Sequence, residues 1–155
     1  MNSECRTRSP GPETNSTSAE FCDTNILAYA FQAGTGSTHE AARNLVQGLG
    51  DRGDGVTSVQ VLNELFVTLT RKLRPGTHVS NAREIVSELS TAWGIVDLTA
   101  ADVLLAIDNA TRWQISYWDA LIPTSAAKAG ASVIRTEDLN HGQAYGPVTV
   151  RNPFR

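Results

Sequence analysis

The sequence predicts an α/β fold in which a central, mostly parallel sheet of four to five strands is flanked by helices. Short β-prone runs alternate with longer segments of helical periodicity, a pattern typical of parallel strands joined by helices. The 155 residues fit one domain, and a 41% hydrophobic composition is enough for an ordinary core. Because the first 19 positions are mostly polar, we expect a disordered tail at 1–19 and one folded domain at 20–155.

The predicted strands share short apolar or β-branched runs bounded by turn residues. In chain order they are 20–23, 55–57, 95–98, 132–136 and 148–152. We expect the last of them to lie at the edge of the sheet.

The predicted helices combine apolar residues at helical spacing with capping or breaking residues. In chain order they are TNILAYA, STHEAARNLVQGL, VQVLNELFVTLTRKL, NAREIVSELSTAW, the segment from Thr99 towards Trp113, and SYWDALIPTSAAK. Capping-box spacing is found at Ser37 with Glu40, Thr99 with Asp102 and Ser116 with Asp119.

Two features predict interruptions in these helices. Gly48 and Gly50 indicate the end of the second helix, since glycine is unfavourable inside a helix. Pro123 lies inside the last helix and predicts a kink, because proline lacks the backbone N–H that an internal turn needs.

Composition excludes several classes of function. The formal net charge is -3, so a broad basic surface for nucleic acid is absent and any such binding must be local. No run of 18 apolar residues exists, which argues against a membrane partner. Cys5 and Cys22 lack metal-ligand spacing. We therefore expect a reduced, cytoplasmic protein.

Four acidic residues interrupt otherwise apolar segments: Asp23, Glu64, Asp119 and Asp138. Asp23 and Asp138 follow predicted strands, and the carboxyl ends of parallel strands are where ligands bind in open α/β sheets. Ionised carboxylates are seldom buried without a partner, and bound Mg²⁺ or Mn²⁺ would supply one. We expect the four side chains to converge on a site that hydrolyses phosphodiesters.

Each acid also has a purely structural reading. Asp23 suits a helix N-cap. Asp119 has the same capping spacing as Asp102, which shows no sign of function. Glu64 fits a solvated helix surface, and Asp138 fits an ordinary turn. Taken singly these readings are reasonable, but they leave unexplained why all four acids fall at the same predicted edge.

The local sequences around these acids resemble a known family. DTNILAYA after a strand, the helix containing NEL, the SYWDALI helix and the TEDLNHGQ turn occur in the order of PIN-domain ribonucleases. The chain is most similar to the VapC-type toxins of bacterial toxin–antitoxin systems, over residues 20–155. The resemblance implies a PIN-like three-layer fold with the central sheet between helices. The first strand is shorter than the family pattern, with only Phe21 and Cys22 before Asp23.

The resemblance also implies a site and its partners. The catalytic and metal-binding residues it implies are Asp23, Glu64, Asp119 and Asp138, with Asn25 and Thr136 as supporting polar neighbours. One or two Mg²⁺ or Mn²⁺ ions would activate a water for attack on RNA, leaving a 5′-phosphate and a 3′-hydroxyl. Family members commonly form homodimers and are inhibited by a cognate antitoxin whose tail can enter the acidic groove.

Basic residues after Glu64 are candidates for RNA contact. Arg71 returns to nearly the same helix face about 10 Å further along, and Lys72 follows it. Both also suit a helix C-terminus, where cations complement the dipole. His141, near Asp138, is the one histidine with a candidate substrate role, although a structural loop role is the simpler reading.

Two other functions are compatible with the sequence. A catalytically weak PIN-like module would bind RNA or an antitoxin without cutting, and a metal-dependent phosphatase would use the same acids on small molecules. The intact acids argue against the first. A closed pocket would favour the second, whereas an open groove with basic rims would favour a nuclease.

Overall fold

A computed structural model of the chain describes residues 19–71 and 79–155. The expected tail lies outside the described residues except for Ala19, so its disorder and the domain boundary stay predictions. Lys72 and the end of the third predicted helix also lie outside them.

The described residues form six helices and six strands. The helices are α1 (Thr24–Phe31), α2 (Ser37–Arg52), α3 (Val59–Arg71), α4 (Val79–Ala92), α5 (Ala100–Trp113) and α6 (Tyr117–Lys128). The strands are β1 (Glu20–Cys22), β2 (Gly55–Ser58), β3 (Gly94–Val96), β4 (Val133–Arg135), β5 (Ala144–Tyr145) and β6 (Val148–Arg151).

These strands form one sheet in the order β3-β2-β1-β4-β6-β5. All neighbours pair in parallel except β5 and β6, which are antiparallel. The predicted α/β fold with a mostly parallel sheet is therefore confirmed. The sheet has six strands rather than four to five, because the two-residue β5 is too short to show a pattern in sequence. The edge position expected for β6 is wrong, since β5 pairs with it and takes the edge.

The register of the central strands sets where the loops after them begin. Phe21 of β1 pairs with Val56 of β2 and with Ile134 of β4. Cys22 pairs with Arg135, the last residue of β4. The residues that follow these two strands, Asp23 and Thr136, consequently emerge side by side at the carboxyl edge of the sheet.

The core lies between the sheet and two groups of helices. Helix α1 packs on α2 and α3, α3 packs on α4, and both α2 and α3 contact β2. On the other side, α5 packs on α6, and α6 contacts β2, β4 and β6. Large, fully buried side chains come from both groups and from the sheet: Phe21, Ile26, Leu27, Leu49, Leu65, Leu121, Ile134 and Tyr145. Within the described parts of the chain, none of the helices has the length and apolar character needed to cross a membrane.

Helix α2 differs from its prediction at both ends. Its N-cap is Gly36 at φ 111°, with no side-chain cap, so the expected capping box of Ser37 and Glu40 does not form. The helix passes through Gly48 and Gly50 and ends at Arg52, and Gly53 caps it with a left-handed φ of 70°. Burial of the intervening Leu49 stabilises this extra turn and outweighs the modest helix penalty of the glycines.

The other two predicted caps are present. At α5, Thr99 Oγ1 accepts from the backbone N–H of Asp102, and Asp102 accepts from the backbone N–H of Thr99. At α6, the N-cap is Ser116. Helix α6 runs as one element through the buried Pro123.

Candidate active site

Asp23 links β1 to α1 at the carboxyl edge of the sheet. Its Oδ1 accepts from the backbone N–H of Thr24 at 2.6 Å, and its Oδ2 accepts from the hydroxyl of Thr136 at 2.7 Å. The side chain is thus the N-cap of α1, and it is also held from the end of β4. The capping role therefore does not exclude a role in a site.

The environment of Asp23 opposes its negative charge. Only 7% of the residue is exposed. Burial raises its pKa to about 6, against the lowering effect of the hydrogen bonds from Thr136 and Thr24. The charges of Asp138 and Glu64 raise this pKa further. The three carboxylates are therefore close enough to interact electrostatically.

Asp138 is joined to Asp23 through two polar side chains. Asn25 Nδ2 donates to Asp138 Oδ2 at 2.8 Å and to Thr136 Oγ1 at 3.2 Å. The backbone N–H of Asp138 also donates to Thr136 Oγ1 at 3.1 Å. Asn25 and Thr136 consequently hold the turn after β4 against the start of α1.

Glu64 approaches the same edge from α3. Its Oε2 accepts from the hydroxyl of Thr24 at 2.7 Å, and its Oε1 accepts from Gln60 Nε2 at 2.9 Å. Thr24 therefore contacts two carboxylates, Asp23 through its backbone and Glu64 through its side chain. The side chain of Glu64 has one fixed orientation rather than the freedom of a solvated helix residue.

A groove of about 550 Å³ runs between α1 and α3 past these residues. Glu64 and Asp138 line it, and the buried Asp23 lies next to Thr24, which also lines it. The remaining lining residues are Asn25, Ala28, Tyr29, Gln32, Asn63, Val67 and Thr68. We call this the acidic groove.

Asp119 is not joined to this network. It lies in the first turn of α6, where its Oδ2 accepts from the hydroxyl of Ser116 at 2.7 Å and its backbone N–H donates back at 3.0 Å. Its charge contributes, after burial, to a raised pKa of Tyr145. Among the described residues, no hydrogen bond or ion pair connects Asp119 to the other three acids. Intervening polar side chains thus join Asp23, Glu64 and Asp138, and Asp119 makes a capping contact with Ser116.

Two candidate RNA contacts among the described residues, Arg71 and His141, do not line the acidic groove. Arg71 is exposed in the last turn of α3 and does not line it. His141 Nδ1 accepts a hydrogen bond from the backbone N–H of Asn152 at 3.0 Å. This contact within the C-terminal loops agrees with a structural role for His141.

Comparison with known families identifies the fold and its relatives. The sequence matches the PIN domain family over residues 21–146, which is most of the chain. The chain belongs to the PIN domain family. No curated protein matches the chain in sequence.

Several solved structures resemble this PIN domain. One is Mycobacterium tuberculosis VapC20, a toxin that cleaves the sarcin–ricin loop; it is 25% identical over 77% of this chain and 90% of that chain, with a TM-score of 0.63. A toxin–antitoxin complex from Klebsiella pneumoniae is 18% identical over 88% of this chain and 98% of that chain, with a TM-score of 0.64. VapBC2 from Rickettsia felis, bound to a promoter DNA fragment, is 18% identical over 86% of this chain and 98% of that chain, with a TM-score of 0.62.

The donor atoms of the PIN domain site suit a hard divalent cation. They are carboxylate, amide and hydroxyl oxygens, the ligands that Mg²⁺ and Mn²⁺ prefer. In the described parts of the chain, the ion pairs of Arg and Lys are made with Glu20, Asp54 and Asp102, so none neutralises the three clustered acids. Asn25 Oδ1 is buried there without a hydrogen-bond partner. A buried, unpaired oxygen beside three carboxylates is a donor set that fits a divalent cation.

The carboxylates do not, however, form a ready-made cage. As the side chains stand, no three Asp, Glu, His or Cys among the described residues meet the geometry for holding one ion. Mg²⁺ typically uses only one or two carboxylates and keeps several waters, so this spacing still fits. The chemistry of the donor set, rather than a closed coordination shell, supports metal binding.

Two contributors to the site were missed in the sequence. Thr24 bridges Asp23 and Glu64, and Gln60 orients Glu64 from one helical turn earlier. The spacing of Gln60 and Glu64, four residues apart on a helix, could have predicted their contact. The contact between Thr24 and Glu64 had no such signal, because it joins residues 40 positions apart.

Proposed function

We propose that this PIN domain is a metal-dependent endoribonuclease that acts as a toxin and is neutralised by a cognate antitoxin. The observation that carries the proposal is the joining of Asp23, Glu64 and Asp138 in one hydrogen-bonded network at the sheet edge, without a cationic side chain from the described residues to neutralise them. A phosphodiester is itself anionic, so such a site needs a bound cation before it can accept RNA.

The proposed ligands of one or two Mg²⁺ or Mn²⁺ ions are Asp23, Glu64, Asp138 and Asp119. A bound divalent ion lowers the pKa of water and offsets charge on the phosphate during hydrolysis. Asp119 is included from the family resemblance, and its Oδ1 accepts no hydrogen bond from the described residues. Its participation needs a separate test, because its other oxygen is bound by Ser116.

The polar residues around the acids position them for this chemistry. Thr136 and the backbone N–H of Thr24 favour the ionised form of Asp23, which is the form that binds a cation. Gln60 and the Thr24 hydroxyl hold both oxygens of Glu64. In the proposed reaction, water attacks phosphorus, the P–O3′ bond breaks, and the leaving oxygen takes a proton to become the 3′-hydroxyl beside a 5′-phosphate.

Cleavage of a labelled single-stranded RNA by purified protein tests the proposal. We expect cleavage with Mg²⁺ or Mn²⁺, none in EDTA, and recovery when metal is restored. Asp23→Asn should abolish cleavage while the protein stays folded, because it removes charge with little change of shape. Asp102→Asn is the matched control, since Asp102 is a capping acid that pairs with Lys128 and does not line the groove. Full activity in folded Asp23→Asn, or in EDTA, would contradict the proposal.

The proposed partners are RNA, an antitoxin and a second copy of the chain, in the cytoplasm. Exposed apolar side chains on α5, including Leu104, Leu105 and Ile107, support contact with another protein chain. We propose that an antitoxin places an Arg or Lys among the carboxylates, where it takes the place of the cation. Co-expression should relieve growth arrest, and replacing that basic residue by Ala should weaken inhibition more than binding.

A further inference from the structure

A second groove lies beside the acidic groove. It measures about 490 Å³ and has Asn63 and Glu64 in common with the acidic groove. Its other lining residues are Val59, Gln60, Leu98, Tyr117, Trp118 and Leu121. We call it the aromatic groove. Because Glu64 lines both grooves, an RNA strand bound at the acidic groove could place a neighbouring nucleotide in the aromatic groove.

Two aromatic rings form part of its wall. Tyr117 and Trp118 begin α6, with ring centroids 5.2 Å apart and planes at 65°. Trp118 is 64% exposed, although tryptophan is highly buried on average. An exposed aromatic residue at the rim of an apolar groove is characteristic of a binding surface.

The polar lining argues against an anionic occupant. None of the lining residues is Lys, Arg or His, and Glu64 is acidic. A phosphate would be repelled there, whereas a flat, uncharged ring could stack on the aromatic side chains and contact Val59 and Leu121.

Gln60 supplies an independent indication of a ligand. It is only 8% exposed, and its Nε2 donates to Glu64 Oε1, which fixes the orientation of the amide. Its Oε1 is buried and accepts no hydrogen bond from the described residues. Leaving a buried acceptor unpaired is costly, so a donor from a ligand would stabilise it. The exocyclic amino groups of adenine, cytosine and guanine are such donors.

We infer that the aromatic groove holds an unpaired nucleobase of the RNA substrate, stacked on Trp118, next to the phosphate bound at the acidic groove. This inference rests on the proposed function and adds to it a base-binding subsite formed by Trp118 and Gln60. A base held in a duplex is stacked on its neighbours and could not enter the groove.

Binding measurements separate this inference from cleavage. All proteins carry Asp23→Asn to prevent cleavage, and Mg²⁺ is present, since Glu64 and Asp138 remain to hold a cation. The probe is a fluorescently labelled single-stranded RNA, compared with the same strand in a duplex. Trp118→Ala should raise Kd about five- to hundredfold, the range expected for loss of one base–aromatic stack. Trp118→Phe should stay within about threefold of the parent, because it keeps a ring to stack on.

Val79→Ala is the control, since Val79 is 61% exposed, does not line the groove and is given no binding role. It should leave Kd unchanged. We then move one abasic nucleotide along the RNA. At one position the missing base should weaken binding to the parent. At that same position it should cause no additional loss of affinity for Trp118→Ala. Because the abasic RNA series is also measured on the parent, it tests the inference even if Trp118→Ala does not fold.

Three results would overturn the inference: equal Kd for parent and Trp118→Ala, equal binding of the duplex, or no position sensitive to base removal. A change of the particle mass from dimer to monomer in Trp118→Ala, with RNA affinity unchanged, would instead place Trp118 in an interface between protein chains. Failure of the unmutated protein to cleave any RNA, with Trp118-dependent binding intact, would contradict only the proposed nuclease function.

Discussion

The hydroxyl of Thr136 donates a 2.7 Å hydrogen bond to Oδ2 of Asp23, joining residues that are 113 positions apart. Parallel pairing of β1 and β4 creates this contact, because it brings the ends of the two strands to one level. The same Thr136 oxygen accepts from Asn25 and from the backbone of Asp138. Thr136 is therefore the centre of the network that positions the buried acid.

Replacing Thr136 by Val should weaken metal binding and leave the fold intact. The change keeps the side-chain shape but removes the hydrogen bond that favours ionised Asp23. Loss of such a supporting contact typically costs about 10- to 100-fold in metal affinity. Mn²⁺ titration would measure it, and Thr136→Ser, which keeps the hydroxyl, should bind almost normally. Equal Mn²⁺ affinity of the Val variant and the parent would remove Thr136 from this role.

The metal-free protein should lose stability as pH rises from about 4 to about 6. Folding raises the pKa of Asp23 from 3.8 to about 6, so the folded state binds the proton more tightly than the unfolded state. At about 1.4 kcal/mol per pKa unit, the loss attributable to Asp23 is about 3 kcal/mol. Chemical unfolding in EDTA across this pH range, compared between the parent and Asp23→Asn, would measure it.

Asp102 provides a control of opposite sign for this experiment. Its pKa is lowered to about 2, chiefly by the hydrogen bond from Lys128. The stability it contributes is present above pH 4 and is lost as pH falls from about 4 towards 2. Asp102→Asn should therefore lower stability by a constant amount above pH 4, and its difference from the parent should shrink as pH falls from about 4 towards 2. A flat difference curve between the parent and Asp23→Asn from pH 4 to pH 6 would show that the pKa of Asp23 is not raised.

Asp119→Asn should reduce cleavage far more than Asp102→Asn. Both acids occupy the third position of a capped helix and accept a hydrogen bond from their N-cap hydroxyl, so each variant weakens the same kind of cap. Asp102→Asn also loses the ion pair with Lys128, so it should be at least as destabilised as Asp119→Asn. The proposed metal role belongs to Asp119 alone. Cleavage rates at saturating Mn²⁺, with melting temperatures for both variants, make the comparison. Equal rates would leave Asp119 as a capping residue only.

The thiol of Cys22 should be unreactive in the folded protein. Cys22 is fully buried in β1, and burial raises the pKa of its thiol well above the ordinary range. With Cys5 replaced by Ser, iodoacetamide at pH 8 should label the chain only after denaturant is added. Rapid labelling of the native protein would show that β1 opens readily, which its central position in the sheet argues against.

Local sequence predicted most elements because their signals are local. Apolar spacing and capping residues identified α5 and α6, whose N-caps Thr99 and Ser116 are both present. The same logic failed at α2, where Gly36 stands in place of the expected capping box. A cap depends on the path by which the chain enters the helix, and neighbouring residue types do not determine that path.

The sequence by itself determined the α/β alternation, the supply of four acids and the polar residues placed beside them. Only the tertiary structure decided which acids meet. Asp23, Glu64 and Asp138 interact because parallel strand register and the packing of α1 on α3 bring distant backbone positions together. The contact of Asp119 with Ser116 joins residues only three positions apart, so the capping-box spacing was enough to predict it.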